Sequence, residues 1–383
     1  MRKSWRKRTH WIQDNVLTTT MNYRIILLCC LPLFLTGCLS HKPYAAPPAD
    51  AVVLQKKAGR EFIILNLSDP QMSVLEWTAT EGAERDNRVI LKRTVSELVS
   101  RVKPDLITIS GDLSGDGHEA YRQLADFLDT FGIPWAPVWG NHDNEAGVEN
   151  IKALEAIFSR HPLCLFQAGP PELGSGNYVL RIMEGDRPVT ALFLVDTHDR
   201  VPWPTADDPN ALVWAKLWPT QFDWYRRQVA ILRQEGFHDS AMIMHIPIYA
   251  YNQAFEAAYD GKADCKELAY SQTLNGACWK PEYKEAFGCC HESICSHPAD
   301  DGAFAVLLEE DFTKTLLCGH DHVNNFVIPY RGIRLAYSLK TGPGCYWEAA
   351  LNGGTVLVVG SDGICDIRHE FVDVALPAAE DEK

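Results

Sequence analysis

Glu61-Phe62-Ile63-Ile64-Leu65-Asn66-Leu67 runs directly into Ser68-Asp69-Pro70-Gln71. The first seven residues form a short, nearly unbroken apolar run, the pattern of a strand buried on both faces. The pattern recurs twice. Leu106-Ile107-Thr108-Ile109-Ser110 leads into Gly111-Asp112, and Pro134-Trp135-Ala136-Pro137-Val138-Trp139 leads into Gly140-Asn141-His142-Asp143. Between these runs lie two helical patterns. One covers about residues 85–102, with Val89, Ile90, Val95, Leu98 and Val99 at helical spacing, and the other covers about 118–131. This β-α-β-α-β order predicts an α/β fold with helices packed on a central sheet.

Further along, residues 178–183, 191–196 and 241–245 read as strands, with a helix over 221–234. After residue 322 the candidates are all strands, at 326–328, 333–338 and 355–359, which predicts a second sheet packed on the first. No internal repeat or second domain boundary is visible. Residues 250–303 are cysteine-rich and polar with weak periodicity, and read as an insertion overhanging the site and shaping specificity. The domain is expected over residues 59–375, followed by an acidic tail at 376–383.

The chain has 383 residues, 46% hydrophobic and 22% charged, in the range of a folded globular protein. A net charge of −14 argues against a broad nucleic-acid-binding face. It leaves room for a small phosphorylated substrate, because bound cations invert the charge inside a site.

Residues 1–37 are read as an N-terminal extension plus an export signal, with Met21 as the expected start. Arg24, the apolar stretch 25–35 and the small residues after it have the layout of a secretory signal peptide. Leu35-Thr36-Gly37-Cys38 resembles a bacterial lipobox, which makes Cys38 the expected lipid attachment point. A plain signal peptide and an uncut anchor helix are the competing readings. Residues 38–58, rich in alanine and proline, read as a tether from membrane to domain. The expected location is the extracytoplasmic side of the cell envelope; no acidic retention residue follows Cys38, which favours an outer membrane.

Nine cysteines lie beyond Cys38, five of them between 265 and 295. In an oxidising compartment these predict a disulfide-stapled loop. A zinc site at Cys289, Cys290, His291 and Cys295 is the competing reading, at a spacing that fits no common finger. An odd number leaves at least one thiol, and Cys318 inside an apolar run is expected to be buried and free.

Each strand end carries oxygen or imidazole ligands. Taken singly, Asp69 and Asp112 suit turn formers or helix caps as well as ligands. Asn141 can offer its amide oxygen to a metal. His142, adjacent to it in a tight turn, is left for proton work, with Asp143 placed to fix its tautomer. His245 ends the apolar run Ala241-Met242-Ile243-Met244; a lone histidine there is more often structural. Gly319-His320-Asp321-His322 is more telling, because i, i+2 spacing puts both imidazoles on one side of an extended segment. Asp196 and His198 read as second-layer groups or strand-end caps. Trp203, Trp214, Trp218, Tyr249 and Tyr251 read as cleft walls or as core and rim aromatics.

In order and spacing, Asp69-Pro70-Gln71, Gly111-Asp112, Gly140-Asn141-His142-Asp143, His245 and Gly319-His320-Asp321-His322 resemble the calcineurin-like metallophosphoesterases over about residues 60–370. The resemblance implies a four-layer α/β/β/α sandwich of two mixed sheets. It implies two divalent metal ions, of Mn, Fe, Zn or Mg, and phosphate-ester hydrolysis with a bridging hydroxide as nucleophile. Asp69, Gln71, Asp112 and His322 would hold the first ion; Asp112, Asn141, His245 and His320 the second. His142, oriented by Asp143, would stabilise charge or protonate the leaving group. Two positions depart from the family pattern. Gln71 stands where most members carry histidine; its neutral carbonyl oxygen is a harder, weaker ligand than imidazole and shifts preference towards manganese or magnesium. Gly115 stands where purple acid phosphatases carry an iron-binding tyrosine, which argues against a coloured iron site. The expected activity is a phosphomonoesterase; the alternatives are a phosphodiesterase on nucleotides or lipid head groups, and a non-catalytic binding lipoprotein with a degenerate site.

Overall fold

The apolar runs are continuous because both faces of their strands are covered. The structure is a computed structural model that describes residues 45–72, 87–115, 117–261 and 279–374. Strands β1 (Val52–Gln55), β5 (Tyr178–Glu184), β6 (Arg187–Leu194), β9 (Ser240–Ile243), β10 (Thr313–Cys318), β12 (Ile333–Tyr337) and β11 (Val327–Tyr330) lie side by side in that order as one sheet. β14 (Ile364–Phe371), β13 (Gly353–Val359), β2 (Phe62–Leu67), β3 (Leu106–Ser110) and β4 (Trp135–Val138) form the second. β7 (Arg200–Pro202) and β8 (Leu212–Trp214) make a separate hairpin.

Between the sheets, Ile64, Leu106 and Val138 meet Leu180, Leu192, Ile243 and Leu317. The alternate residues face outward. Leu65, Leu67, Ile107 and Ile109 pack under helices α1 (Asn87–Val102), α2 (Gly117–Asp129) and α4 (Val148–Phe158), with the short α3 (Asn141–Asn144) leading into α4. Phe193, Met242 and Leu316 pack under α5 (Pro219–Gln234), α6 (Ala250–Ala258) and α7 (Ala303–Glu310). This is the expected four-layer sandwich of two mixed sheets. β2, β3 and β4 run parallel, as do β9, β10 and β12, so each set delivers its carboxyl ends to one edge.

Several expectations need correction. The tether does not run to residue 58, because β1 pairs in parallel with β5 and belongs to the sheet. The segment from 250 begins as helix α6, whose Ala250, Tyr251, Ala254 and Ala258 are buried in the core. The disulfide staple is not formed among the described residues. Cys164, Cys289, Cys295, Cys318, Cys345 and Cys365 are free, and the Cys290 and Cys295 thiols turn to local carbonyls at Glu292 (3.2 Å) and Ser293 (3.3 Å). Cys265 and Cys278, the signal region and Cys38, and the acidic tail lie outside the described residues. Cys318 is buried and free, as expected. Among the described residues, no helix is long and apolar enough to cross a membrane.

Candidate metal centre

The two sheet edges meet at one cluster of buried side chains. The backbone there is unusual: Asp69, Gln71, Asp112 and His320 take φ of 50°, 40°, 51° and 77°. Left-handed backbone at a non-glycine residue costs about 1–3 kcal/mol, and here it turns each side chain off its strand towards the centre. Two glycines permit the crowding. A Cβ on Gly140 would lie 2.1 Å from Asp112 Oδ1, and one on Gly111, at φ +91°, would lie 2.4 Å from His245 Nδ1. Gly140→Ala is therefore expected to cost roughly 1–3 kcal/mol of stability and to displace Asp112. Thermal unfolding together with metal content checks this; unchanged values would mean the loop yields freely.

Four candidate ligands converge from both sheets. His245 Nε2 lies 3.3 Å from Asp112 Oδ1 and 3.0 Å from Asn141 Oδ1, and His320 Nδ1 lies 3.3 Å from His245 Nε2. His245 Nδ1 donates to the Ser110 carbonyl at 2.8 Å, so in the neutral ring Nε2 presents a lone pair to the centre. That lone pair faces the lone pairs of two oxygens, a grouping that a cation resolves. Burial pulls against the His245 cation, but the Asp112 and Asp69 charges outweigh it and raise its pKa. Burial, then the His245 charge, hold His320 well below its ordinary value. Its Nε2 is buried with no hydrogen-bond partner among the described residues. A neutral, desolvated imidazole is what metal ligation requires, so the donor set fits the divalent ions that the motifs imply. Asp69, Asp112 and His245 form the one three-residue His/Cys/Asp/Glu group of metal-binding geometry among the described residues, and the zinc reading at Cys289–Cys295 is not met.

Beside this quartet, His322 Nε2 lies 3.4 Å from Asp69 Oδ1 while its Nδ1 donates to the Tyr346 carbonyl at 2.8 Å. Burial opposes ionisation of Asp69, yet the His322 hydrogen bond and the charges of His245, His322 and Lys340 hold it well below the usual carboxylate range. The Gln71 amide is engaged at both of its ends. Its Nε2 donates to Asp112 Oδ2 at 3.3 Å, and its Oε1 accepts from Lys340 Nζ at 3.0 Å. Sequence reasoning missed Lys340, although it follows an apolar strand at the same edge as the histidines. Burial draws its pKa down to about 8, opposed by the Asp69 charge.

His142 sits at the second position of α3, half-buried, with Nε2 3.9 Å from Asp112 Oδ2. The orienting contact expected from Asp143 is made by Glu145, whose Oε2 lies 3.0 Å from His142 Nδ1. Asp143 instead points inward, accepting from Gly140 N (2.8 Å), Leu113 N (3.1 Å) and Tyr121 Oη (2.6 Å). Burial, then the Asp112 charge, push its carboxyl up to about 7. Burial works against the His142 cation, but Asp112, Glu145 and Asp143 together raise its pKa. Asp143 is thus the brace of the loop, and Glu145 is the partner of the imidazole.

The surroundings sort the weaker candidates. Trp214 sets its edge against His320 with ring centroids 4.3 Å apart, and the Arg200 guanidinium lies 4.4 Å over the Trp214 ring. Trp203 and Trp218 are exposed on the same segment, whereas Tyr251 is core. Asp196 caps the backbone of His198 (2.8 Å) and Ser175 (3.1 Å), and reaches Asn144 of α3 (3.3 Å). His198 stacks on Trp218. The segment after residue 279 braces the histidine loop: Cys295 N donates to Asp321 (3.1 Å), Val323 N to Glu292 (2.9 Å), and Tyr346 Oη to Glu292 (2.7 Å).

Among solved structures, a dimetal phosphatase from Danio rerio matches with a TM-score of 0.45 and 14% identity, covering 80% of this chain and 98% of that one. In sequence, the chain is 26% identical over 345 residues to "Probable inactive purple acid phosphatase 29" of Arabidopsis thaliana, covering 82% of this chain and 80% of that protein. It is 27% identical to "Probable inactive purple acid phosphatase 14" of Arabidopsis thaliana over 66% of this chain and 61% of the relative. It is 24% identical to "Phosphatase DCR2" of Saccharomyces cerevisiae over 76% of this chain and 49% of the relative. The chain thus spans about half to four-fifths of these relatives' lengths. The sequence profile of the calcineurin-like phosphoesterases matches residues 62–324, which include Asp69, Asp112, Asn141, His245, His320 and His322, and the chain belongs to that family.

Proposed function

We infer that this chain is a metal-dependent hydrolase of phosphate monoesters. The observation that carries the reading is the convergence of Asp112, Asn141, His245 and His320 at contacts of 3.0–3.3 Å, beside a histidine whose second nitrogen faces them. When bound, divalent cations would supply positive charge to the phosphoryl oxygens and make water a nucleophile near neutral pH. Asp112, Asn141, His245 and His320 would hold one ion, and Asp69 and His322 would provide ligands to another.

The rest is proton work. Glu145 fixes the Nδ1–H of His142, which leaves Nε2 to carry a proton at the mouth of the centre. As the phosphorus–oxygen bond breaks, that proton passes to the leaving oxygen, and the water consumed restores it. The Asp112 and Glu145 charges raise the His142 pKa and so favour its acid form. A cationic His142 and the nearby Lys340 suit the dianion of a monoester better than the single charge of a diester. Trp214, Trp203 and Trp218 offer an apolar wall to the leaving group's body. Anchoring at the cell envelope through lipidated Cys38 is part of the proposal, supported by the sequence 35–38. A mature N-terminus other than a lipidated Cys38, seen by mass spectrometry, would remove that part.

The full chain, stripped of metal and reloaded with manganese, is expected to hydrolyse p-nitrophenyl phosphate roughly tenfold or more faster than the bis ester. The reverse ratio would make it a diesterase. No turnover of either, with metal bound, would favour the binding lipoprotein.

A further inference from the structure

Lys340 is built into the junction of the two sheets. Its residue bridges Ser68 in parallel fashion, the neighbouring Thr341 N donates to the Ser68 carbonyl at 2.8 Å, and Ser68 N donates to Thr341 Oγ1 at 3.2 Å. The ammonium is buried and donates to the Asp69 carbonyl at 2.7 Å and to Gln71 Oε1 at 3.0 Å. These partners fix which way the Gln71 amide faces. A lysine ammonium only donates, so the atom it meets is the oxygen; an ionised carboxylate only accepts, so the atom facing Asp112 is the NH2. Turning the amide over would set NH2 against ammonium and oxygen against carboxylate. To ligate an ion, Gln71 would have to share its oxygen with Lys340 and set that ion close beside a buried ammonium.

We propose that Lys340 makes the centre asymmetric, with one ion held tightly by Asp112, Asn141, His245 and His320 and a second held only weakly beside Asp69 and His322. Lys340 acts there as a positioning residue in two ways. It takes one lone pair of the Gln71 oxygen that the weak position needs, and it places an ammonium next to an incoming cation. Two carboxylates, Asp69 and Asp112, face that charge, so the lysine offsets half of the negative charge on which two divalent ions would depend. This proposal rests on the reading of these loops as a metal centre, and it concerns how many ions are held and how firmly.

The test uses the full chain, stripped of metal and titrated with manganese alone. Binding is followed by calorimetry and by electron paramagnetic resonance, with retained metal counted after gel filtration. The wild type is expected to keep one manganese per chain, show an uncoupled six-line spectrum, and bind a second ion at least roughly tenfold more weakly. Lys340→Met should tighten the second step by roughly tenfold or more and bring out an exchange-coupled spectrum at two equivalents, with the first step unchanged. Lys340→Gln, which keeps a donor and removes the charge, serves if the methionine variant does not fold. Two ions of equal affinity in the wild type, or a second step that neither variant strengthens, would overturn the proposal whatever the activity. No ion bound by any of the three proteins would instead sink the hydrolase reading itself.

Discussion

Asp112→Asn is expected to empty the centre and to abolish hydrolysis. Asp112 lies between His245, the histidine loop of α3 and Gln71: Oδ1 lies 3.3 Å from His245 Nε2 and accepts from His142 N at 3.0 Å, while Oδ2 accepts from Gln71 at 3.3 Å. An amide of the same shape removes one of the two carboxylates facing the cation. It also places an NH2 where two donors already point, so one of them loses its partner. A catalytic cation supplies several kcal/mol of charge stabilisation, and at about 1.4 kcal/mol per tenfold its loss lowers kcat/KM by roughly 10³-fold or more. Metal content and kcat/KM, measured on the same preparation, check this. A variant that keeps its metal and most of its activity would show that Asp112 does not join the two halves.

His142→Asn should separate chemistry from metal binding. The only contact of His142 with the ligand set at hydrogen-bond distance is its backbone N–H to Asp112, which asparagine preserves. Losing a positioned acid lowers turnover by roughly 10²–10⁴-fold, with metal content held. Equal loss of metal and activity would assign the imidazole to the ligand set instead. The pH profile tests its partner. The Asp112, Glu145 and Asp143 charges raise the His142 pKa. The acid form is therefore present at low pH and is lost as pH rises through that raised value. Glu145→Gln removes one of those charges, so the alkaline limb should move to lower pH. A limb that stays in place or moves up would show that Glu145 does not hold the ring. Asp143 makes no such contact, and changing it should weaken the loop through Gly140, Leu113 and Tyr121.

The part of the fold that was legible comes from strands buried on both faces, because their apolar runs need no knowledge of partners. β2, β3, β4 and β9 are all of this kind. The β1, β7 and β8 strands were not legible: they are three or four residues long, partly exposed, and exist because a neighbour pairs with them. β14 mixes exposed and intermediate residues along an edge, with no clean alternation to read. Within the site, the candidate ligands stood out because each follows a glycine or a strand end. The contacts around them did not. Asp143 follows His142 in sequence, but helical geometry puts residue i+3 on the imidazole's side and turns i+1 inward. Lys340 reaches Gln71 across 269 residues of chain, brought there where the segment after β12 bridges Ser68 at the junction of the two sheets.

The parentage of the centre is divided. Asp69, Asp112 and Asn141 hang from the five-stranded sheet, whereas His245, His320, His322 and Lys340 hang from the seven-stranded one. Neither half alone offers a cation more than scattered oxygens or scattered imidazoles. A chain whose sheets have formed but not closed on each other therefore has little affinity for metal. Each ion captured would add a clasp between the layers, and free ion at a hundred times Kd would deepen the closed state by about 2.7 kcal/mol. Metal uptake at such a centre would therefore favour chains whose two sheets have closed correctly.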